Sequence, residues 1–139
     1  MKIVLDASVL IKWLLADPER EEQTEKASHL VTTVDDGALE LVLPDHWLAE
    51  VAAIPCRISP ATATGDIETL HLLDRPVIGD ASLYRRASRI AVDLRHHLFD
   101  TLYHAAALET GTALITADHH YWSKAKGFGN ITLLEQFDR

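Results

Sequence analysis

Cysteine is almost absent from this chain of 139 residues, which contains Cys56 and no other thiol. A disulfide within the chain is therefore impossible, and a chain without disulfides is typical of the reducing cytosol. Apolar runs are also short, and none approaches the ~18 residues that span a bilayer. Met1 and Lys2 lead at once into an apolar run, without the features of a signal peptide. We expect a cytoplasmic protein that does not contact membranes.

Positive charge is scarce as well. The sequence has 13 basic and 21 acidic residues, which gives a net charge of -8. This balance argues against a protein that holds nucleic acid on a broad phosphate-neutralising surface. It does not exclude an enzyme that meets phosphates through bound cations, because the acidic residues then recruit the positive charge. It also favours a basic partner.

Glycine and proline are few, with 6 and 5 residues, and no Gly/Ser-rich linker, repeat or low-complexity tract interrupts the chain. Hydrophobic residues make up 47% and charged residues 24% of the sequence, proportions that are typical of a globular protein. A chain of this length buries a substantial core. We therefore predict a single domain over residues 1–139.

Short apolar runs alternate with helix-forming segments. Strands are predicted over residues 2–5, 41–43, 113–116 and 130–134, with a weaker one over 75–78. Helices are predicted over residues 7–16, 19–36, 46–54, 60–73, 81–95, 101–109 and 119–126, with Pro55 ending or kinking the third. This alternation predicts a three-layer α/β/α sandwich around a mostly parallel central sheet.

Three aspartates share one kind of position. Asp6, Asp100 and Asp118 each stand where the chain turns into a predicted helix. Helix capping, worth ~1 kcal/mol, explains each of them singly. It does not explain why Asp6 and Asp118 both end strands, at the edge where ligands bind in parallel α/β sheets. Carboxylates gathered there repel one another, and a bound divalent cation relieves the repulsion.

Other oxygen donors belong to the same candidate region. Glu50 lies in a largely apolar helix turn, where it either marks the solvent face or joins a site. Ser8 and Thr116 flank the predicted sheet edge and can cap helices or orient a carboxylate. A set of oxygen ligands suits Mg²⁺ or Mn²⁺ rather than zinc. Four acids around one or two such ions is an arrangement used for attack of water on a phosphodiester.

Four segments of the chain resemble the PIN-domain family, and the group they resemble most is the VapC-type toxins of bacterial toxin–antitoxin pairs. These segments are IVLDASVLIKWLL, LPDHWLAEV, HLFDTLYHAAALETGTALITAD and FGNITLL. They occur in the right order and cover nearly the whole chain. The resemblance implies a PIN-like α/β/α fold and a metal-dependent endoribonuclease that hydrolyses phosphodiester bonds of RNA with Mg²⁺ or Mn²⁺.

The resemblance also implies site residues and partners. The family's acidic catalytic and metal-binding positions correspond to Asp6, Glu50, Asp100 and Asp118. Its hydroxyl positions beside the site correspond to Ser8 and Thr116. The implied assembly is a homodimer with a VapB-like antitoxin, whose basic C-terminal segment lies across the acidic cleft.

One departure and several histidines stand apart from this pattern. Many relatives carry asparagine four positions after the helix glutamate, where this chain has Ile54 and then Pro55. Adjacent histidines such as His96 and His97 are expected to point to different sides, which argues against a zinc site. Two other histidines are candidates for substrate contact, while a tyrosine and the thiol are expected to be buried packing groups. These residues are His104, His119, Tyr103 and Cys56.

Rival functions fit less well. A haloacid-dehalogenase type of phosphatase needs a second aspartate two positions after the first, where Ser8 stands. A two-component receiver needs an acidic pair near the first strand and a late lysine, neither of which is clear. The Gly-x-x-x-x-Gly-Lys pattern of P-loop proteins is absent. A binding module that keeps metal but not turnover is the alternative from a different class.

Overall fold

A computed structural model describes residues 1–16, 23–73 and 75–138. Its strands are short and all pair in parallel. They are β1 (Lys2–Leu5), β2 (Glu40–Leu41), β3 (Leu43–Pro44), β4 (Val77–Ile78), β5 (Ala113–Thr116) and β6 (Ile131–Leu133). The main sheet has the order β2-β1-β5-β6, and β3 and β4 form a separate two-stranded sheet. β1 and β5 are therefore the two inner strands of the main sheet.

Seven α-helices connect these strands within the described ranges. They are α1 (Ala7–Leu15), α2 (Thr24–Asp35), α3 (Trp47–Ile58), α4 (Ala63–His71), α5 (Ala81–Leu94), α6 (Leu98–Thr110) and α7 (His119–Ala125). The predicted α/β/α architecture around a parallel sheet is confirmed. In these same ranges, no helix combines the length and the apolar character needed to cross a membrane.

The core lies between the two inner strands and the helix that covers them. Ile3, Val4 and Leu5 of β1 are fully buried, as are Leu114 and Ile115 of β5. α6 packs against both strands and is buried continuously over residues 101–107. Its three consecutive alanines allow a close approach to the sheet. Each large apolar side chain buried in this way contributes about 1.5–3 kcal/mol, and this packing fixes the position of the two strands that lead to the sheet edge.

The prediction that α3 ends at Ile54 is wrong, because the helix continues through Pro55 to Ile58. Proline has no N–H, so α3 loses one internal hydrogen bond at this point. The Pro55 carbonyl nevertheless accepts a hydrogen bond from the Ser59 N–H at 2.8 Å. The hydrogen-bond ladder therefore resumes one turn later.

Three other predicted boundaries also differ. The strand expected over residues 41–43 is divided, because the Val42 N–H bonds to Ile3 of the main sheet and the Leu43 N–H bonds to Pro76 of the small one. α4 begins at Ala63 rather than at residue 60. α6 begins at Leu98 rather than at residue 101. The predicted helix segment over residues 19–22 lies outside the described residues.

Candidate active site

Asp6 follows β1 directly and is the most buried acid of the site, with 7% of its surface exposed. Its Oδ2 accepts three hydrogen bonds, from Ser8 N at 3.2 Å, Ser8 Oγ at 2.6 Å and Thr116 Oγ1 at 3.2 Å. The bond from Ser8 N caps α1, so the capping interpretation is correct for this residue. No described residue donates a hydrogen bond to Asp6 Oδ1. This carboxylate is therefore oriented through one oxygen and keeps the other available.

Burial raises the pKa of Asp6 from 3.8 to about 7. Desolvation is the largest cause, and the negative charges of Asp100 and Glu50 raise the pKa further. The hydrogen bonds from Ser8 oppose this shift without cancelling it. Because Asp100 and Glu50 both act on Asp6 electrostatically, the three carboxylates share one region, as the sequence predicts.

Glu50 stands in the first turn of α3 beside His46. His46 Nε2 lies 3.3 Å from Glu50 Oε2 and 3.0 Å from the carbonyl oxygen of Phe99. The N–H of His46 is directed at the Phe99 carbonyl, so Glu50 Oε2 is buried without a hydrogen bond. A buried acceptor without a hydrogen bond is costly. Glu50 does not simply mark the solvent face.

Asp100 lies in the first turn of α6 and caps no helix, so the capping interpretation is wrong here. Its Oδ2 is held by His96 Nε2 at 2.6 Å, with His97 Nε2 at 3.3 Å. The adjacent histidines therefore face the same carboxylate, contrary to prediction. They can do so because His97 is extended and precedes the helix, while His96 is already outside α5. Asp100 Oδ1 receives no hydrogen bond from a described residue.

Lys124 determines which nitrogen of His96 carries the proton. Its Nζ lies 3.0 Å from His96 Nδ1, and an ammonium group can only donate. Nδ1 is therefore an acceptor, and Nε2–H donates to Asp100. The ligand atoms of His96, His97 and Asp100 also lie within 4.8 Å of one another, close enough to share a metal ion. A metal on His96 Nε2 would require a proton on Nδ1 and hence the loss of the Lys124 contact, so this geometry favours hydrogen bonding.

Asp118 follows β5 and caps α7 through a hydrogen bond from Tyr121 N to Oδ1 at 3.0 Å. Thr116 joins this residue to Asp6: its Oγ1 donates to Asp6 Oδ2 and accepts from Asp118 N at 3.1 Å. Tyr121 lies near all three aspartates, since the charges of Asp6, Asp100 and Asp118 contribute to raising its pKa after desolvation. The structure thus brings together every acidic residue that the sequence indicated.

Tyr103 is a residue that sequence reasoning assigned to packing alone. It is fully buried in α6, yet its hydroxyl has no hydrogen-bond partner. Desolvation raises its pKa far above the ordinary value, and the charges of Glu50, Asp6 and Asp100 raise it further. The phenol is therefore protonated and stands among the acids as a donor. The available signal was its position three residues after Asp100, which places both on one face of a helix.

The residues of this site fit a hard divalent cation. Glu50 Oε2 and the Tyr103 hydroxyl are buried without partners, and such atoms are normally satisfied by protein, water or an ion. Asp6 and Asp100 are each held through one oxygen and present the other. Carboxylate oxygens are the ligands that Mg²⁺ and Mn²⁺ prefer. A cation here would also offset the mutual repulsion of Asp6, Glu50 and Asp100.

Other predicted contributions are not supported. His104 is fully buried, with Nε2 donating to the Gly129 carbonyl at 2.8 Å and Nδ1 accepting from the Tyr121 hydroxyl at 2.9 Å. It is a structural residue and not a substrate contact. His119 lies 3.0 Å from the Glu135 carboxylate. Its exposure is the one observation that keeps it a candidate for substrate contact. Cys56 is exposed rather than buried, because the continuation of α3 past Pro55 places it on the outer face.

The sequence matches the family model of the PIN domain over residues 3–127, and the chain therefore belongs to the PIN domain family. Proteins of this family are generally metal-dependent nucleases. Among solved structures, PAE2754 from Pyrobaculum aerophilum is similar, with a TM-score of 0.62 and 21% sequence identity over 97% of this chain and 93% of that chain. At this identity the likeness concerns the fold. A comparison with curated proteins found no match.

Proposed function

We propose that this protein is a Mg²⁺- or Mn²⁺-dependent endoribonuclease, and that it is the VapC-type toxin of a toxin–antitoxin pair. Membership of a family of nucleases supports the reaction class. The observation that carries the proposal is that Glu50 Oε2 and the Tyr103 hydroxyl are buried without partners beside Asp6 and Asp100, at the carboxyl edge of the sheet. Carboxylates gathered in one buried region are costly unless they serve a positively charged ligand.

Asp6, Asp100 and Asp118 are the principal residues that would hold the metal, and Glu50 would complete the set. When bound, the metal supplies positive charge against the phosphodiester and lowers the pKa of water. Ser8 and Thr116 fix the orientation of Asp6 through its Oδ2.

Each of the other groups has a role in proton and charge balance. Glu50 Oε2 has no hydrogen-bond donor and can accept a proton from the attacking water. His96 and Lys124 hold Asp100 in place through a chain of two hydrogen bonds. The Tyr103 hydroxyl keeps its proton and can donate to an acid or a water molecule at the centre of the site.

The net charge of -8 supports a basic partner. We propose a VapB-like antitoxin whose basic C-terminal segment lies across the acidic cleft, a homodimeric toxin, and a cytoplasmic location. Opposite charges would speed association and fix the orientation of such a peptide. The peptide would compete with metal and RNA for the same carboxylates.

The first test is cleavage of total cellular RNA by the purified protein with Mg²⁺, with Mn²⁺ and with chelator. The wild-type protein is compared with Asp6→Asn and with Asp93→Asn, a matched control on the exposed surface of α5. Discrete metal-dependent fragments from the wild type and Asp93→Asn, and none from Asp6→Asn, are the expected result. Sequencing of the fragment ends then identifies the target.

Two outcomes would count against the proposal. Undiminished cleavage by Asp6→Asn would show that the activity does not arise at this site. Metal binding without cleavage of any RNA would favour the alternative, a PIN-fold binding module that retains its metal but has no turnover.

A further inference from the structure

A groove of about 390 Å³ borders the acidic site, and apart from Glu50 its lining residues have no part in the chemistry described so far. Ala49, Ala53 and Ile54 of α3 form its apolar wall, and Phe99 of α6 also lines it. Glu50 belongs both to this groove and to the acidic site. A ligand in the α3–Phe99 groove is therefore adjacent to the reacting groups.

Phe99 has the properties of a stacking surface. Its side chain is 58% exposed although it is large and apolar. The ring stacks on that of His46, with centroids 5.7 Å apart and planes inclined by 16°. The Phe99 carbonyl also accepts the hydrogen bond from His46 Nε2 at 3.0 Å. The exposed ring is thus fixed in place before any ligand arrives, one residue before Asp100.

One charged group of the same groove is unused. Arg57 lines the groove, and no described carboxylate pairs with its guanidinium. The groove therefore combines a flat apolar ring and a cation.

This combination matches one nucleotide better than it matches an apolar peptide segment. A nucleobase has a π-face for the ring, and the phosphate of the nucleotide carries the charge that pairs with arginine. An apolar peptide side chain would cover Phe99 but leave Arg57 without a partner. Because Glu50 lines both the groove and the acidic site, a base in the groove would bring the next phosphate of the same RNA strand close to the acids.

We propose that the α3–Phe99 groove binds one unpaired nucleobase of the RNA, stacked on Phe99 and next to the scissile phosphate, with Arg57 paired to a neighbouring phosphate. The proposal rests on the proposed function, and it assigns the base beside the scissile phosphate to this groove. A base within a duplex is already stacked on its neighbours and cannot enter the groove without being unpaired.

The test measures binding of fluorescein-labelled single-stranded RNA 12-mers of random sequence by anisotropy. All variants carry Asp6→Asn, so that the RNA stays intact. Phe99→Ala is expected to raise Kd roughly 10- to 100-fold, since base–aromatic stacking has this magnitude. Phe99→Leu keeps an apolar side chain but removes the flat ring, so the same loss is expected. Phe99→Trp should restore binding, and Phe128→Ala is the matched control at an exposed phenylalanine outside the groove.

Arg57→Gln gives an independent readout. Loss of one phosphate contact should lower the slope of log Kd against log salt by about 0.7. Phe99→Ala should leave this slope unchanged, because stacking releases no counterions. Duplex RNA of the same length should bind more weakly and be insensitive to Phe99→Ala.

Several results would overturn the groove assignment while leaving the nuclease intact. The first is a Kd for single-stranded RNA that Phe99→Ala leaves unchanged, while the wild-type protein still cleaves RNA in a metal-dependent way. If that variant instead loses affinity for a basic antitoxin peptide, or changes from dimer to monomer by light scattering, the groove binds protein and the assignment is wrong. If the wild type neither cleaves nor binds RNA, the proposed function itself fails.

Discussion

His96 Nε2 donates a hydrogen bond to Asp100 Oδ2 across 2.6 Å. The direction of this bond is set from the far side of the ring, where Lys124 Nζ lies 3.0 Å from Nδ1. A carboxylate held in this way loses little rotational freedom when it takes a ligand. The contact joins the end of α5, the start of α6 and α7 into one supporting unit.

Replacing His96 should therefore weaken metal binding before it affects folding. We expect His96→Leu to raise the Kd for Mn²⁺ by about 10- to 100-fold, the usual cost of losing a residue that supports a metal ligand. His96→Gln, whose side-chain amide can still donate, should recover much of the affinity. The measurement is free Mn²⁺ by electron paramagnetic resonance, with Tm as the folding control. His29→Leu is the control at an exposed histidine. Equal Mn²⁺ affinities for the wild type and His96→Leu would contradict the supporting role of His96.

Asp6 should make the metal-free protein less stable as pH rises. The unfolded chain loses this proton near pH 3.8, whereas the folded protein keeps it until about pH 7. Between those values the folded state binds more protons, so the free energy of unfolding falls with increasing pH. Above about pH 7 the stabilising contribution of the protonated form is fully lost.

Asp6→Asn removes this dependence, so its Tm in the presence of chelator should exceed that of the wild type at about pH 8. At about pH 4, where Asp6 of the folded protein is protonated and as neutral as asparagine, the two Tm values should nearly coincide. If Asp6→Asn is less stable than the wild type at about pH 8, the buried negative charge of Asp6 does not destabilise the folded protein.

Tyr103→Phe should separate stability from activity. The lost hydroxyl is buried without a partner, so its removal should leave the metal-free protein as stable as before or stabilise it by about 1 kcal/mol. Cleavage should fall roughly tenfold, the loss expected from one hydrogen bond at the site. Single-turnover cleavage and urea denaturation are the two measurements. The control is Tyr84→Phe, which removes an exposed hydroxyl that bonds to Asp45. If Tyr103→Phe cleaves RNA as fast as Tyr84→Phe, Tyr103 has no role in the site.

His104 should control stability on the acidic side. Burial lowers the pKa of its ring below the ordinary 6.5, so the unfolded state binds the proton more readily than the folded state does. Stability from this residue is present above about pH 6.5 and declines as pH falls. His104→Phe should abolish that decline. It should also cost about 2–4 kcal/mol by leaving the Tyr121 hydroxyl and the Gly129 carbonyl unpaired, as measured by urea denaturation.

The positions of the aspartates could be predicted from local rules. β1 and β5 are continuous apolar runs, and the aspartate that follows such a strand stands at the carboxyl edge of the sheet. Asp6 and Asp118 obey this rule, and the pairing of β1 with β5 makes them neighbours. Glu50 and Asp100 are in helices, where this rule does not apply: local patterns made them candidates, and only the resemblance to a known family implied that they join the site.

The supporting groups could not be predicted, because their relations are not local. His96 and Lys124 are 28 residues apart, and nothing in either segment indicates the other. His96 and His97 were expected to diverge as neighbours in a regular element, but they lie in the short connection between α5 and α6. The Tyr103 hydroxyl looked like ordinary packing because the helix face that buries it is apolar.

The hydroxyl of Thr116 has a consequence for when the site comes into being. It bonds to Asp6, 110 residues earlier in the chain, and to the N–H of Asp118. Ser8 can bond to Asp6 as soon as α1 begins to form, but the bond from Thr116 exists only when β5 lies beside β1. A chain shortened before β5 would keep the aspartate and its helix cap but lack both the second hydroxyl and Asp118. Assembly of the acidic centre thus depends on the pairing of β1 with β5.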